Sequence, residues 1–462
     1  MAHSKSNLLK KVRPPKNEST ALFTLLGLWT ISKILFTVGI GSCAALAPDE
    51  LTYLAAFNHS YHGLKIYDRW SDASPLFLHI IFLPARIIEL LGFEALASLR
   101  IASVLFTTAA VFLTYGAVKT NFHKSERLKE FKTFKILIVI ALFMPSVFIW
   151  GSLNLRESYL YFETALLIFG LIHLFKGKYI WGTLLGSASL ICFFNTKFYL
   201  GIVFIGALAI TWLLSLINWP EKTGKVLSII FILVALATNL PRLALIYAPH
   251  TETVTSSSTA NTSSSGLVTS LNTSAVGASS TTIEGLKACY AAGSTGPILK
   301  LVGKVLGIST TTPTTTPTTT PTTTPTTTPT KSTTQIYGVE SAGKLHRINL
   351  LPKNIFIFLF EPFPGLGTGS GAGNLFALEF PLWITLYGLA TRAIWKSRKL
   401  DWGFVERFIG VFILAFIGFS AETEINLGTE FRHRSILLLP LMALTSMRLL
   451  RLSDYSPEIG PD

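Results

Sequence analysis

The sequence predicts an all-α fold, a polytopic membrane helix bundle of about ten spans with interfacial helices in long outer loops. Three observations carry this expectation. Of 462 residues 50% are hydrophobic and only 14% charged, and the mean hydropathy is +0.50, whereas a soluble domain carries about a quarter charged residues. Apolar runs long enough to cross a bilayer recur along the chain. The basic residues, which give a net charge of +14, sit in short clusters between those runs rather than on one face. Such spacing marks cytoplasmic helix ends and reports topology, so a nucleic-acid partner is excluded.

Taken in order, a cytoplasmic tail, 1–20, leads into a first span near 21–42. This run is too long for a signal-peptide core and is read as a retained helix. Further spans are expected near 95–118, 135–151, 158–175, 180–196, 199–217 and 226–247. A C-terminal set follows near 374–395, 403–421 and 435–450. Clusters such as Lys119 to Lys135, Lys176 with Lys178, and Arg392 to Lys399 anchor the cytoplasmic turns. Residues 21–247 then form an N-terminal membrane module and 350–450 a C-terminal one, with a cytoplasmic tail at 451–462.

The segment Pro75 to Gly92 is apolar enough to span. It carries His79, Pro84, Arg86 and Glu89, and a full charge near mid-bilayer costs roughly 2.5–3.5 kcal/mol. Counting it would also put the Lys119–Lys135 cluster outside. It is therefore expected to lie along the outer interface, within a first outer loop at 43–93. A second outer loop, 248–349, contains a strict Thr-Thr-Thr-Pro repeat over 310–330. Proline at every fourth residue forbids helix and sheet, so that stretch is expected to be extended and disordered. Leu350 to Phe360 reads as a second interfacial or re-entrant element. The glycines of 365–373 follow no strand and precede no Lys-Ser/Thr, so they do not form a phosphate-cradling nucleotide loop.

Under this topology, polar residues gather on the outer side. The end of the first span supplies Asp49, Glu50 and Tyr53; the turn after the third supplies Asn154, Arg156 and Glu157. Asn195 and Lys197 end the fifth span. The last outer turn carries Glu422, Glu424, Glu430, Arg432, His433 and Arg434. Carboxylates there can act as a general base, and arginines suit a lipid-linked phosphate through paired, charge-assisted hydrogen bonds. Arg432 and Arg434 run against the positive-inside trend. Arg156 with Glu157 can equally pair with one another, and Lys197 can equally snorkel to headgroups. His59, His62 and His79 lack compact metal-ligand spacing, and the three cysteines show no pattern.

The first outer segment resembles the GT-C superfamily of membrane glycosyltransferases, in the branch of protein O-mannosyltransferases and lipid A aminoarabinose transferases. The matching residues are Pro48-Asp49-Glu50 with Tyr53, His62-Gly63, Ser74-Pro75-Leu76, Leu99-Arg100-Ile101, and Phe194 to Gly201 around Lys197. The stretches Pro145 to Glu157 and Asn426 to Arg434 look more like membrane proteins of bacterial polysaccharide clusters. The chain departs from the branch in having Ala73-Ser74, with no lysine, ahead of Pro75, and Arg156-Glu157 at a second-loop aspartate position.

The resemblance implies an inverting transfer of a sugar from a polyprenyl-phosphate donor to a glycan, lipid or protein acceptor. The site would face outward from a multi-pass protein of the bacterial plasma membrane. It implies Asp49 as base or acceptor-positioner and Lys197 as a phosphate ligand. With the outer-face charges added, the expected site has Asp49 and Glu50 as catalytic residues. Arg156, Lys197, Arg432 and Arg434 hold the donor phosphate, and Tyr53, Glu157 and Glu424 support the acceptor. No cofactor is required; a divalent cation at Glu50 is optional, and no metal site is assigned. A lipid-linked polysaccharide polymerase or ligase is the alternative reading. A transporter or flippase ranks third, since no internal repeat relates the halves and the charges gather at one face.

Overall fold

A computed structural model describes residues 16–40, 50, 53–54, 57–58, 75–121, 128–215, 344–361, 377–423 and 427–455. Asp49, Glu424, the expected span at 226–247 and the repeat at 310–330 lie outside the described residues. What is described is helical, with no strand among the described residues. Among the described residues, six stretches are long and apolar enough to cross a membrane: 20–39, 95–120, 156–175, 198–215, 404–422 and 432–452. The protein is a polytopic helical membrane protein.

The first span is α1 (Lys16–Ile40); α2 (Pro75–Glu89) is the helix expected at the interface, and α3 (Ala95–Asn121) the second span. One face of α2, formed by Ile81, Phe82, Ala85 and Ile88, is buried with Tyr53, Phe57, Leu99 and Ala102. Its opposite face leaves Leu83 and Ile87 exposed. The charges that argued against a transmembrane path are satisfied locally. Arg86 pairs with Glu89 at 2.5 Å, donates to the Phe57 carbonyl at 2.5 Å, and stacks over the Phe57 ring at 3.6 Å.

The expected single span at 135–151 is two helices, α4 (Leu128–Leu142) and α5 (Pro145–Trp150). Pro145 is the cause. It has no N–H to give the turn before it, and it holds Met144 in an extended conformation at φ −69°, ψ 118°. Proline suits the first position of a new helix, and here it opens one.

The hub of the bundle is α6 (Arg156–Phe175), which packs on α3, on α7 (Tyr179–Thr196) and on the C-terminal helices. Small residues set the α6–α7 spacing. A Cβ built at Gly170 would sit 2.8 Å from the backbone nitrogen of Gly186. One at Gly182 would sit 2.5 Å from that of Leu174. Gly182-Thr-Leu-Leu-Gly186 is thus a small-xxx-small seam, which lets two backbones touch where lipid offers no hydrophobic drive to associate. Ser189, further along α7, donates to the Glu163 carbonyl at 2.6 Å.

The remaining elements are α8 (Phe198–Ser215), α9 (Lys344–Phe360), α10 (Phe380–Lys396), α11 (Phe404–Thr423), α12 (Leu427–Ile436) and α13 (Leu438–Tyr455). Helix α11 packs on α8 and α9, and α13 on α10 and α4. A phenylalanine ladder of Phe193, Phe204, Phe408, Phe412 and Phe416 fills the space between α7, α8 and α11. Helices α4, α7 and α10 lie on three more of the expected spans and are shorter or less apolar than the six. The element expected at Leu350 to Phe360 is the latter part of α9.

Candidate functional site

The break after α5 produces a buried turn, Gly151 to Leu155, that sets the start of α6 and hence Arg156 and Glu157. Three groups grip it and the end of α5. Lys33 of α1, fully enclosed, donates to the Val147 carbonyl at 3.3 Å and lies over the Trp29 ring. Thr107 of α3 donates to the Gly151 carbonyl at 3.2 Å. Glu50 accepts from the Asn154 backbone N–H at 3.0 Å. Glycine suits position 151, because a Cβ there would meet the Val147 backbone carbonyl at 2.7 Å as well as Lys33 Nζ at 2.6 Å and Thr107 Oγ1 at 2.7 Å. The side-chain oxygen and nitrogen of Asn154 are buried with no hydrogen-bond partner among the described residues.

Glu50 is wholly buried and faces Arg100 of α3, equally buried. Arg100 Nε donates to Oε1 at 2.8 Å and Nη2 to Oε2 at 2.9 Å. This is the two-pronged guanidinium–carboxylate geometry that is strongest where water is excluded. With the Asn154 N–H, at least three hydrogen bonds reach the Glu50 carboxylate. Its position is fixed and its oxygens are engaged.

The cationic residues converge nearby. Glu157, in the first turn of α6, is buried where the helix dipole favours an anion. Lys197, at the turn from α7 to α8, stands 3.9 Å from Glu157 Oε1, and Arg432 of α12 stands 4.0 Å from the same oxygen. Lys197 is also hydrogen-bonded to His433 Nε2, and Arg432 lies 5.9 Å over the Trp150 ring. Glu157 Oε2 is buried with no hydrogen-bond partner among the described residues. Arg156 donates from Nε to Tyr53 Oη at 2.5 Å and from Nη1 to the Thr196 carbonyl at 3.5 Å. Tyr161 and Ser435 share a hydrogen bond that ties α6 to α12 below the cluster.

Of the residues expected at the site, Tyr53, Arg156, Glu157, Lys197 and Arg432 come together, and Glu50 stands behind them against Arg100. Arg434 points elsewhere. Two residues along a helix from Arg432, it faces the opposite side, where it donates to the carbonyls of Leu359 and Glu361 at 3.2 and 2.5 Å. Its guanidinium lies 5.3 Å over Trp383. It caps the end of α9, and a cation there complements the carbonyl end of the helix dipole. Burial pushes the Glu361 carboxyl above its ordinary value, opposed by the nearby Lys353 and Arg434. Asp49 and Glu424 lie outside the described residues.

For several members of this end of the bundle the sequence gives no sign of their partners. Arg100 sits inside an apolar run and nothing in its neighbours points to Glu50. Lys33 looks like a snorkelling residue, and Glu163, bound to Thr196 Oγ1 at 2.5 Å, looks like an isolated mid-helix charge. Requiring an internal partner for every charge in an apolar run would have singled out all three.

No protein-family model matches the chain, and no curated protein matches it. Among solved structures, its fold is similar to the crystal structure of ArnT from Cupriavidus metallidurans bound to undecaprenyl phosphate. Identity is 12% and the TM-score 0.49, over 94% of this chain and 61% of that one. The chain therefore spans about 61% of the length of that protein. The likeness is one of helix arrangement.

Proposed function

We propose that the protein is a membrane glycosyltransferase that moves a sugar, with inversion, from a polyprenyl-phosphate donor to an acceptor at the extracytoplasmic face. The observation that carries this reading is the arrangement of Lys197, Arg432 and His433 around the Glu157 carboxylate, with Arg156 alongside. Cations gathered at one end of an apolar bundle suit an anion at that depth. A phosphate at headgroup depth is such an anion. Guanidinium and ammonium groups already held in place lower the barrier by stabilising charge as it develops on the departing phosphate.

In this reading the acceptor hydroxyl attacks the anomeric carbon from the face opposite the phosphate. A new C–O bond forms, the anomeric carbon–phosphate oxygen bond breaks, and polyprenyl phosphate leaves. Asp49 takes the hydroxyl proton. Its neighbour Glu50, gripped by Arg100, is the anchor that keeps the base in register with the Gly151–Leu155 turn, and we assign Glu50 that role in place of catalysis. Arg432, Lys197 and Arg156 hold the phosphate; Glu157 keeps those cations pointed inward; Arg434 secures the end of α9.

The test uses the purified full-length chain with a polyprenyl-phosphate sugar. Asp49→Asn should lower turnover by about a hundredfold or more, the usual contribution of a positioned base, while donor affinity is kept. Arg432→Ala should weaken donor binding. Near-normal turnover of Asp49→Asn would remove the proposed base. Comparing monosaccharide with oligosaccharide lipid donors separates a transferase from a polymerase or ligase.

A further inference from the structure

The helices that carry the candidate site also build a cavity at their other ends. Helix α6 starts at the site with Arg156 and ends at Phe175, about 30 Å away for 20 residues at 1.5 Å each. There, the end of α6, the start of α11 and the end of α13 enclose a cavity of about 720 Å³. That volume lies within the roughly 300–1,000 Å³ of typical small-molecule sites. Lys176, Lys399 and Arg451 line it, together with Asp401 and Glu406.

Its walls are held by buried polar contacts. Glu406 accepts from Arg448 at 3.0 Å, from Arg451 at 2.7 Å and from the Gly403 N–H at 3.0 Å. Arg448, wholly buried, also donates to Ser397 Oγ at 2.7 Å. One carboxylate thus serves two guanidiniums, and Arg451 is fixed at the cavity edge by a further bond to the Asp401 carbonyl at 2.7 Å. Lys399 is exposed, and Lys176 reaches the Thr120 carbonyl at the end of α3. The cations outweigh the carboxylates, and the excess faces the cavity.

Its depth points to the occupant. Trp181, near the start of α7, and Trp395, near the end of α10, are exposed large aromatics close in sequence to Lys176 and Lys399. Exposed tryptophans at helix ends mark the headgroup level of a bilayer. A basic cavity between spans at that level matches the negative phosphodiester of an anionic lipid. We propose that this cavity binds a phosphate-bearing anion, namely the headgroup of an anionic phospholipid in the leaflet on the basic side of the protein. It stands apart from the candidate site and does not depend on the proposed transferase activity.

The experiment measures the melting temperature of the full-length protein in uncharged detergent. It is titrated with phosphatidylglycerol, with phosphatidylcholine, or with inorganic phosphate. Phosphatidylglycerol should raise Tm saturably and phosphatidylcholine should not, because ligand binding to the folded state stabilises by mass action. The Lys176→Gln/Lys399→Gln pair should lose most of the rise. Lys178→Gln/Arg398→Gln, equally basic neighbours outside the cavity lining, should keep it. A saturable rise with inorganic phosphate that the same cavity pair abolishes supports the anion site and assigns it to a soluble source. An equal response of both pairs, or no response of the unaltered protein, overturns the proposal.

Discussion

Arg100 and Glu50 bring two full charges into an interior with no measurable solvent exposure, and their two-pronged geometry is what makes that tolerable. Removing one partner of such a pair leaves the other uncompensated, at about 3–5 kcal/mol, whereas replacing both with apolar residues is often close to neutral. Arg100→Leu should therefore lower the melting temperature sharply, and Glu50→Leu/Arg100→Leu should recover much of the loss. A double variant as unstable as the single one would show that the pair does not act as a unit. The Pro48-Asp49-Glu50 motif was legible in the sequence as a place where charge collects. That Glu50 meets an internal partner was not, because that partner lies fifty residues on, in an apolar run whose periodicity gives no hint of it. The same limit applied to Arg432 and Arg434, which look equivalent in the sequence. Only the pitch of α12 sends one to Glu157 and the other to the end of α9.

Among the helices, α6 and α7 behave as one unit because Gly170, Gly182 and Gly186 let their backbones meet. Gly182→Leu would force its side chain into the backbone of α6, where a built Cβ already lies 2.5 Å from the Leu174 nitrogen. Overpacking typically costs about 1–3 kcal/mol, and here the obstacle is main chain, which yields least. The expected outcome is a lower melting temperature together with weakened donor affinity, since Lys197 at the end of α7 would be carried away from Glu157. Gly206→Leu, where nothing lies within 4 Å of a built Cβ, is the matching control and should leave both unchanged. Helix positions were largely readable from apolar run length and basic flanks, and α3, α6, α8 and α11 fall within a few residues of expectation. The division into α4 and α5 was not expected, although Pro145 was in view. An apolar run long enough to span outweighed one proline in the reading, while in the fold the missing N–H prevailed.

For the whole molecule, the charges sort toward the two ends of the same helices, the proposed phosphate cluster at one and the basic cavity at the other. The positive-inside rule assigns the end bearing Lys176, Lys178 and Arg398 to the cytoplasm. Single cysteines placed at Asn58 and at Lys178, in a background lacking the three native cysteines, test this. An impermeant maleimide applied to intact cells should label Asn58→Cys and leave Lys178→Cys untouched until the membrane is opened. The reverse pattern would place the candidate site on the inner face. This sorting was visible in the sequence because charge beside an apolar run carries side information. The meeting of Glu157, Lys197 and Arg432 was anticipated only as a shared face, since distances between helices depend on packing that no single segment encodes.

The cluster around Glu157 draws on α6, on the α7–α8 turn and on α12, so its last contributor, Arg432, is made long after the others. During synthesis the first two segments can reach the membrane and pair through their glycine seam while the third is still on the ribosome. A chain arrested at that stage has Glu157 and Lys197 in the membrane but not Arg432, whose guanidinium stands 4.0 Å from Glu157 in the finished fold. The three-part cluster around Glu157 is thus complete only once the last helices are in place.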